Sequence, residues 1–182
     1  MPLISLLALL LFLQNSISAE LTYVREYNAA DQLLAEGWMK SGVKEKFWKH
    51  YYINGTVKEQ GHFIEGLKAQ YWTFYTRKGE VKASGHFLNG QRDGYWVLCN
   101  NDGIKTEAGH FSVGLREGHW KKFDTSGNCI EEGTYKKGLK EGFWLKFKNN
   151  KPYLAEKYEQ GELIGSWTSL SAFKRDNKIR DN

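Results

Sequence analysis

Residues 85–108 read G-H-F-L-N-G-Q-R-D-G-Y-W-V-L-C-N-N-D-G-I-K-T-E-A, and the same pattern recurs on both sides of them. Trp48, Trp72, Trp96, Trp120 and Trp144 stand 24 residues apart, and Trp167 follows at 23. Gly61, Gly85, Gly109 and Gly133 keep the step of 24, as do Gly55, Gly79, Gly103 and Gly127. A third column holds Gly42, Gly66, Gly90, Gly114 and Gly138, and a fourth Gly94, Gly118 and Gly142. Self-similarity at a fixed period of this length marks a repeat architecture, in which each unit buries its apolar surface against its neighbours.

Each unit contains two X-Gly turn signals. Asn54-Gly55, Lys78-Gly79, Asp102-Gly103 and Ser126-Gly127 form one set; Glu65-Gly66, Asn89-Gly90, Val113-Gly114 and Lys137-Gly138 form the other. Asn-Gly and Asp-Gly between apolar segments favour two-residue hairpin turns, because a type I′ turn needs positive φ at both central residues. The repeats therefore read as all-β: an antiparallel β-hairpin meander in one elongated sheet, with strands expected near 46–53, 57–63, 71–76, 81–87, 95–100, 105–111, 119–124, 129–135 and 143–148. The arm holding Gly94 is longer than the other, which predicts a wider loop or a bulge there. In the last copy Asn149-Asn150-Lys151-Pro152 replaces an X-Gly turn, and the missing residue is expected to be absorbed in it.

Parity assigns faces. With a turn at Asn54-Gly55, Trp48 lies across from Gly61, so its indole is expected to cover a glycine, and Phe63 shares that face. Phe47 and Tyr51 take the opposite face, and an even period keeps every slot on its own face in every copy. The structural columns are then Trp48, Trp72, Trp96, Trp120 and Trp144 with Gly61, Gly85, Gly109 and Gly133.

The composition agrees. In 182 residues, 15% are aromatic, with seven Trp, and the mean hydropathy is −0.60, so the chain buries rings rather than a thick aliphatic core. A hydrophobic fraction of 41% excludes a disordered chain. Leu3 to Leu13 form an apolar run too short to span a bilayer, followed by polar and small residues, which predicts a signal peptide over 1–19, cleaved after Ala19. Export to the periplasm or beyond follows. Residues 20–36 read as a worn N-terminal cap repeat, with a short helix over 31–36 as the alternative. Residues 37–168 form the repeat domain, and 169–182 a polar tail expected to fray.

The unit Gly-x-Phe/Tyr-x-x-Gly-x-Lys/Arg-Asp/Glu-Gly-x-Trp-x-x-Tyr/Phe-x-x-x-Gly, as in Gly109-His110-Phe111 through Gly118-His119-Trp120 and Gly133-Thr134-Tyr135 through Gly142-Phe143-Trp144, resembles the MORN-type repeat in its bacterial variant form. Lys46 and Gln70 depart from it, standing where later copies have Gly. The resemblance implies a β-hairpin solenoid used for protein contacts or membrane-surface contacts. Some members of that class are labelled antitoxins of a toxin–antitoxin pair, an alternative role the resemblance implies.

Few residues invite a chemical reading. His62, His86 and His110 occupy one slot in successive copies, ~9.6 Å apart, too far to share a metal ion. Cys99 and Cys129 replace apolar residues, and the strand spacing keeps them too far apart for a disulfide. No nucleophile elbow or phosphate loop is present. Neither an enzyme, a cofactor, a metal nor nucleic acid is expected. Lys44, Lys68, Arg92, Arg116 and Lys140 form a basic column along one edge of the ribbon, each followed by Glu45, Ala69, Asp93, Glu117 or Glu141. It is the candidate contact for an anionic lipid surface, with those acids expected to cancel much of its field. The reading is an exported, non-catalytic scaffold for another protein, with a peripheral membrane binder as the alternative.

Overall fold

The computed structural model describes residues 20–177; the expected signal peptide lies outside them. Among the described residues, thirteen strands form one antiparallel sheet: β1 Leu21–Tyr27, β2 Leu33–Lys40, β3 Val43–Tyr51, β4 Val57–Ile64, β5 Leu67–Tyr75, β6 Val81–Leu88, β7 Gln91–Cys99, β8 Lys105–Ser112, β9 Leu115–Phe123, β10 Cys129–Lys136, β11 Leu139–Lys148, β12 Lys151–Glu159 and β13 Glu162–Trp167. Spatial order equals sequence order, so the chain is an up-and-down meander of hairpins. The cap is a hairpin too: residues 33–40 are strand, not helix.

The two turn sets differ in size. The tight turns are those of the second set: Glu65 and Gly66 both have positive φ (50° and 76°), and Ile64 faces Leu67 across them. Asn54-Gly55 instead closes a wider loop, in which Gly55 N donates to Tyr52 O and Tyr52 N to Thr56 O. Only the glycine there is left-handed. The register still pairs Trp48 with Gly61, because one shift between His50 and Tyr51 absorbs the extra loop residue. Asn149 and Asn150 supply positive φ at both positions of the last irregular turn.

Val113 takes φ 49° in its tight turn. A β-branched residue is strained in that conformation, by about 1–2 kcal/mol. Val113→Asn, the residue used at the equivalent Asn89, is expected to raise stability by ~1 kcal/mol in urea titration. No change would mean that the turn relaxes around the valine.

The odd-numbered strands β5 to β11 begin earlier than expected, because the Gly94 column is a bulge inside the strand and not a loop. Trp96 faces Gly85 while Asp93 faces His86, so Gly94 and Tyr95 are extra toward β6. Toward β8 the same residues pair regularly, with Gly94 opposite Phe111. Gly94, Gly118 and Gly142 have φ of 66–71°, and Lys46 and Gln70 adopt the same left-handed backbone in the earlier copies.

The tail does not fray where expected. Leu170–Asp176 form a helix, α1, capped by Ser169, whose side chain accepts from Ala172 N. Phe173 anchors it, edge-on to Phe143 at 5.2 Å and to Trp167 at 5.5 Å.

Candidate functional site: the two faces of the sheet

One face carries the core. Trp48, Trp72, Trp96, Trp120 and Trp144 are 0–1% exposed although no second layer of the described residues covers them. Each indole lies in a box built by the repeat. Its floor is a glycine: a Cβ built on Gly61 would stand 2.3 Å from Trp72 Cδ2. Its walls are rings, with Phe63 edge-on to Trp72 at 5.0 Å and Phe87 at 6.1 Å. Its lid is a cation, Lys68 Nζ, 4.1 Å from the indole centroid.

The glycine beneath each indole is not the one expected. Trp48 pairs in register with both Gly37 and Gly61, yet it covers Gly37, and Trp72 covers Gly61. The bulge decides the direction. Its two extra residues open the ladder toward the preceding strand, where the carbonyl after the glycine accepts from the indole instead. Trp72 Nε1 donates to His62 O at 3.0 Å, Trp96 Nε1 to His86 O at 3.0 Å and Trp120 Nε1 to His110 O at 2.9 Å.

The basic column does run beside one row of turns, each member second in its strand, but it folds inward over the indoles. Lys44, Arg92, Arg116 and Lys140 lie 3.9–4.5 Å from the rings of Trp48, Trp96, Trp120 and Trp144. Its counter-charges are not the adjacent acids. Glu45, Glu117 and Glu141 turn away and accept from the backbone of the following tight turn, at Glu65 N, Lys137 N and Gln160 N. The partners come from the neighbouring strand: Lys68 with Glu59 at 2.6 Å, Arg116 with Glu107, and Lys140 with Glu131 at 2.5 Å. Lys44 takes Glu26 at 3.4 Å.

Burial alone would raise the Glu59 carboxyl, but His50 beside it at 3.2 Å and a hydrogen bond from Lys68 hold it at about 2, against an ordinary 4.5. A carboxyl depressed in the folded state contributes stability above its unfolded pKa, and that contribution fades as pH falls toward the folded value. The difference amounts to roughly 3 kcal/mol at neutral pH. Glu59→Gln is therefore expected to remove about that much at pH 7 and nearly nothing at pH 2. Equal losses at both would show that the ion pair contributes no pH-dependent stability.

The opposite face is open. Phe47, Tyr71, Tyr95 and Phe143 are 38–53% exposed and form a column across the sheet. His62, His86 and His110 stand edge-on to Phe47, Tyr71 and Tyr95 at 5.1–5.3 Å. These histidines thus pack on rings, one per hairpin. Among the described residues no group of three metal-ligating side chains comes together. Cys99 and Cys129 are free, and burial raises both thiol pKa values. At the Phe143 end the open face is covered by the chain itself, where Leu145, Tyr153, Ala155, Trp167 and Phe173 line a cleft of about 210 Å³.

Sequence reasoning missed this docked helix and the cross-strand carboxylates. A nine-residue offset from Glu59, Glu107 and Glu131 to Lys68, Arg116 and Lys140 was the available signal for the latter.

The fold defines an antiparallel β-hairpin repeat protein. No family profile and no curated protein matches the chain. Among solved structures it is similar to the Glycosylation Associate Protein (Gap123) complex from Streptococcus agalactiae, at 12% identity over 87% of this chain and 23% of that one, with a TM-score of 0.30. It is also similar to the accessory secretory protein 1, 2 and 3 structure from Streptococcus pneumoniae, at 9% identity over 88% of this chain and 25% of that one, with a TM-score of 0.20. The chain spans about a quarter of the length of those matched chains.

Proposed function

We propose that the chain is an exported, non-catalytic repeat scaffold that holds a protein partner on its open aromatic face. The observation that carries this reading is the exposed column of Phe47, Tyr71 and Tyr95, whose equivalent ring Phe143 is already occupied by Phe173 of α1. Exposed apolar surface arranged in one continuous stripe is typical of contact sites, and large aromatics supply most of the energy in such contacts. The MORN-type resemblance points the same way. The membrane alternative draws less support, because four members of the basic column are engaged with carboxylates of the sheet.

A photoreactive benzophenone amino acid in place of Tyr71, on the open face, and in a second protein in place of Lys122, on the Trp face, tests the reading in cells that produce the chain. A discrete protein adduct from the Tyr71 position alone is expected. Adducts with lipid would establish the membrane reading instead. No adduct, or equal adducts from both positions, would overturn the assignment of the open face.

A further inference from the structure

Two of the five capping cations lack a carboxylate in the slot beneath them, and one of the two has none elsewhere among the described residues. Nine residues before each capping cation stand Ala35, Glu59, Ala83, Glu107 and Glu131. Lys44, above Ala35, reaches Glu26 in β1 instead. Arg92, above Ala83, has no hydrogen-bonded side-chain partner and no ion pair among the described residues. Its guanidinium lies over the rings of Trp96 at 4.5 Å and Phe111 at 5.2 Å. The carboxylates of the flanking copies are occupied: Glu59 by His50 and Lys68, and Glu107 by Arg116. Burial and the neighbouring Arg116 both disfavour its charge. A guanidinium carries five donors and no acceptor, so holding one partly buried without an acceptor is costly unless something supplies one.

The position is fixed from both sides. Arg92 O accepts from Gly114 N of the next turn at 3.0 Å, and its side chain lies on two packed rings. Ala83 is buried, at 6% exposure, between Leu98 and Phe74. In place of the carboxylate that other copies project from this slot there is an open cleft of about 410 Å³, whose lining includes Arg92, Lys58 and Lys82, the apolar Ala83, Phe74 and Leu98, and Glu59, whose carboxylate His50 and Lys68 already engage. Lys58 and Lys82 are exposed and make no ion pair among the described residues, so the mouth is positive while the wall is apolar.

We infer that this cleft is a binding site for a carboxylate carried on an apolar body, which takes the place on Arg92 that Glu59, Glu107 and Glu131 take on their cations. Three copies of the same box show the geometry such a group would adopt. The apolar wall selects an attached aliphatic or aromatic group, and a guanidinium binds a planar carboxylate through paired N–H donors. The site lies on the Trp face, so it is independent of the aromatic face proposed above for a protein partner.

Two sources share this chemistry, a free small acid and a peptide chain terminus. Isothermal titration of the full chain with 4-phenylbutyrate and with acetyl-Gly-Gly-Phe bearing a free carboxylate distinguishes them by which binds tighter. The neutral 4-phenylbutyramide and the amidated peptide are the controls. At least one acid is expected to bind ten-fold or more tightly than its amide. Arg92→Gln is expected to abolish that preference and Lys121→Gln, on the other face, to leave it intact. Ala83→Glu fills the slot with the chain's own carboxylate and is expected both to abolish binding and to raise Tm. Should that variant fail to fold, Arg92→Gln decides alone. Equal affinity for acid and amide, no binding of either acid, or binding that survives Arg92→Gln or a folded Ala83→Glu would overturn the proposal.

Discussion

Trp96→Ala is expected to destabilise the chain by about 3–5 kcal/mol, the usual range for truncating a buried large aromatic. Single sheets ordinarily leave their large side chains half wet, so the size of this effect rests on the box. Trp96 is 0% exposed. Phe87 and Phe111 stand edge-on to it at 5.2 and 5.9 Å, and Arg92 closes the top. Removing the indole also leaves His86 O without its donor, a further cost of about 1–3 kcal/mol if water cannot reach it. The loss should appear in the midpoint of a urea titration with little change in slope. A loss below ~1 kcal/mol would mean that the column is solvent-facing in solution and that the box does not exclude water.

Gly109→Ala is expected to cost at least ~3 kcal/mol, the reverse of the usual sign. In an ordinary strand, alanine is better than glycine by roughly 0.5–1 kcal/mol. Here the new Cβ would stand 2.3 Å from Trp120 Cδ2. The indole cannot retreat, because Phe111 and Tyr135 flank it at 5.1 and 6.0 Å and its N–H is held by His110 O. The substitution must therefore expel the ring from its site. Gly118→Asn is the contrast. Gly118 has φ 67° and nothing near its Cβ position, and Lys46 and Gln70 already occupy the equivalent bulge position. It is expected to change stability by no more than about 1 kcal/mol. Measured by the same titration, equal losses for the two would show that glycine is required in both columns for its backbone freedom and not for the space it leaves.

Much of the fold was legible because the repeat writes local rules five times over. The 24-residue step of Trp and Gly marks the hairpin, and its even length keeps Trp on one face and Phe47, Tyr71 and Tyr95 on the other. The pairing of Trp48 with Gly61, expected from a two-residue turn at Asn54-Gly55, is found, but it comes from a wider loop compensated by the shift between His50 and Tyr51. These depend only on the two-residue alternation of a strand and on backbone conformation near each turn.

What the tertiary structure decided is where each side chain leans. An indole opposite two glycines has no local reason to choose either; the bulge opens the ladder on one side only, and the N–H goes to the carbonyl freed there. The countercharges were misplaced for a related reason. Glu117 follows Arg116 in sequence, but successive residues of a strand point to opposite faces, so the acid serves the next turn while Glu107 reaches Arg116 from across the sheet. Phe173 could not be placed from its own polar, charged segment, because the ring it docks on, Phe143, belongs to a strand 30 residues earlier. Sequence alone thus determined the period, the pairing order and the faces, since these arise from local backbone geometry. Only tertiary structure decided which glycine lies under each ring, which acid meets each cation, and that Arg92 meets none among the described residues, because those outcomes depend on atoms brought together across strands.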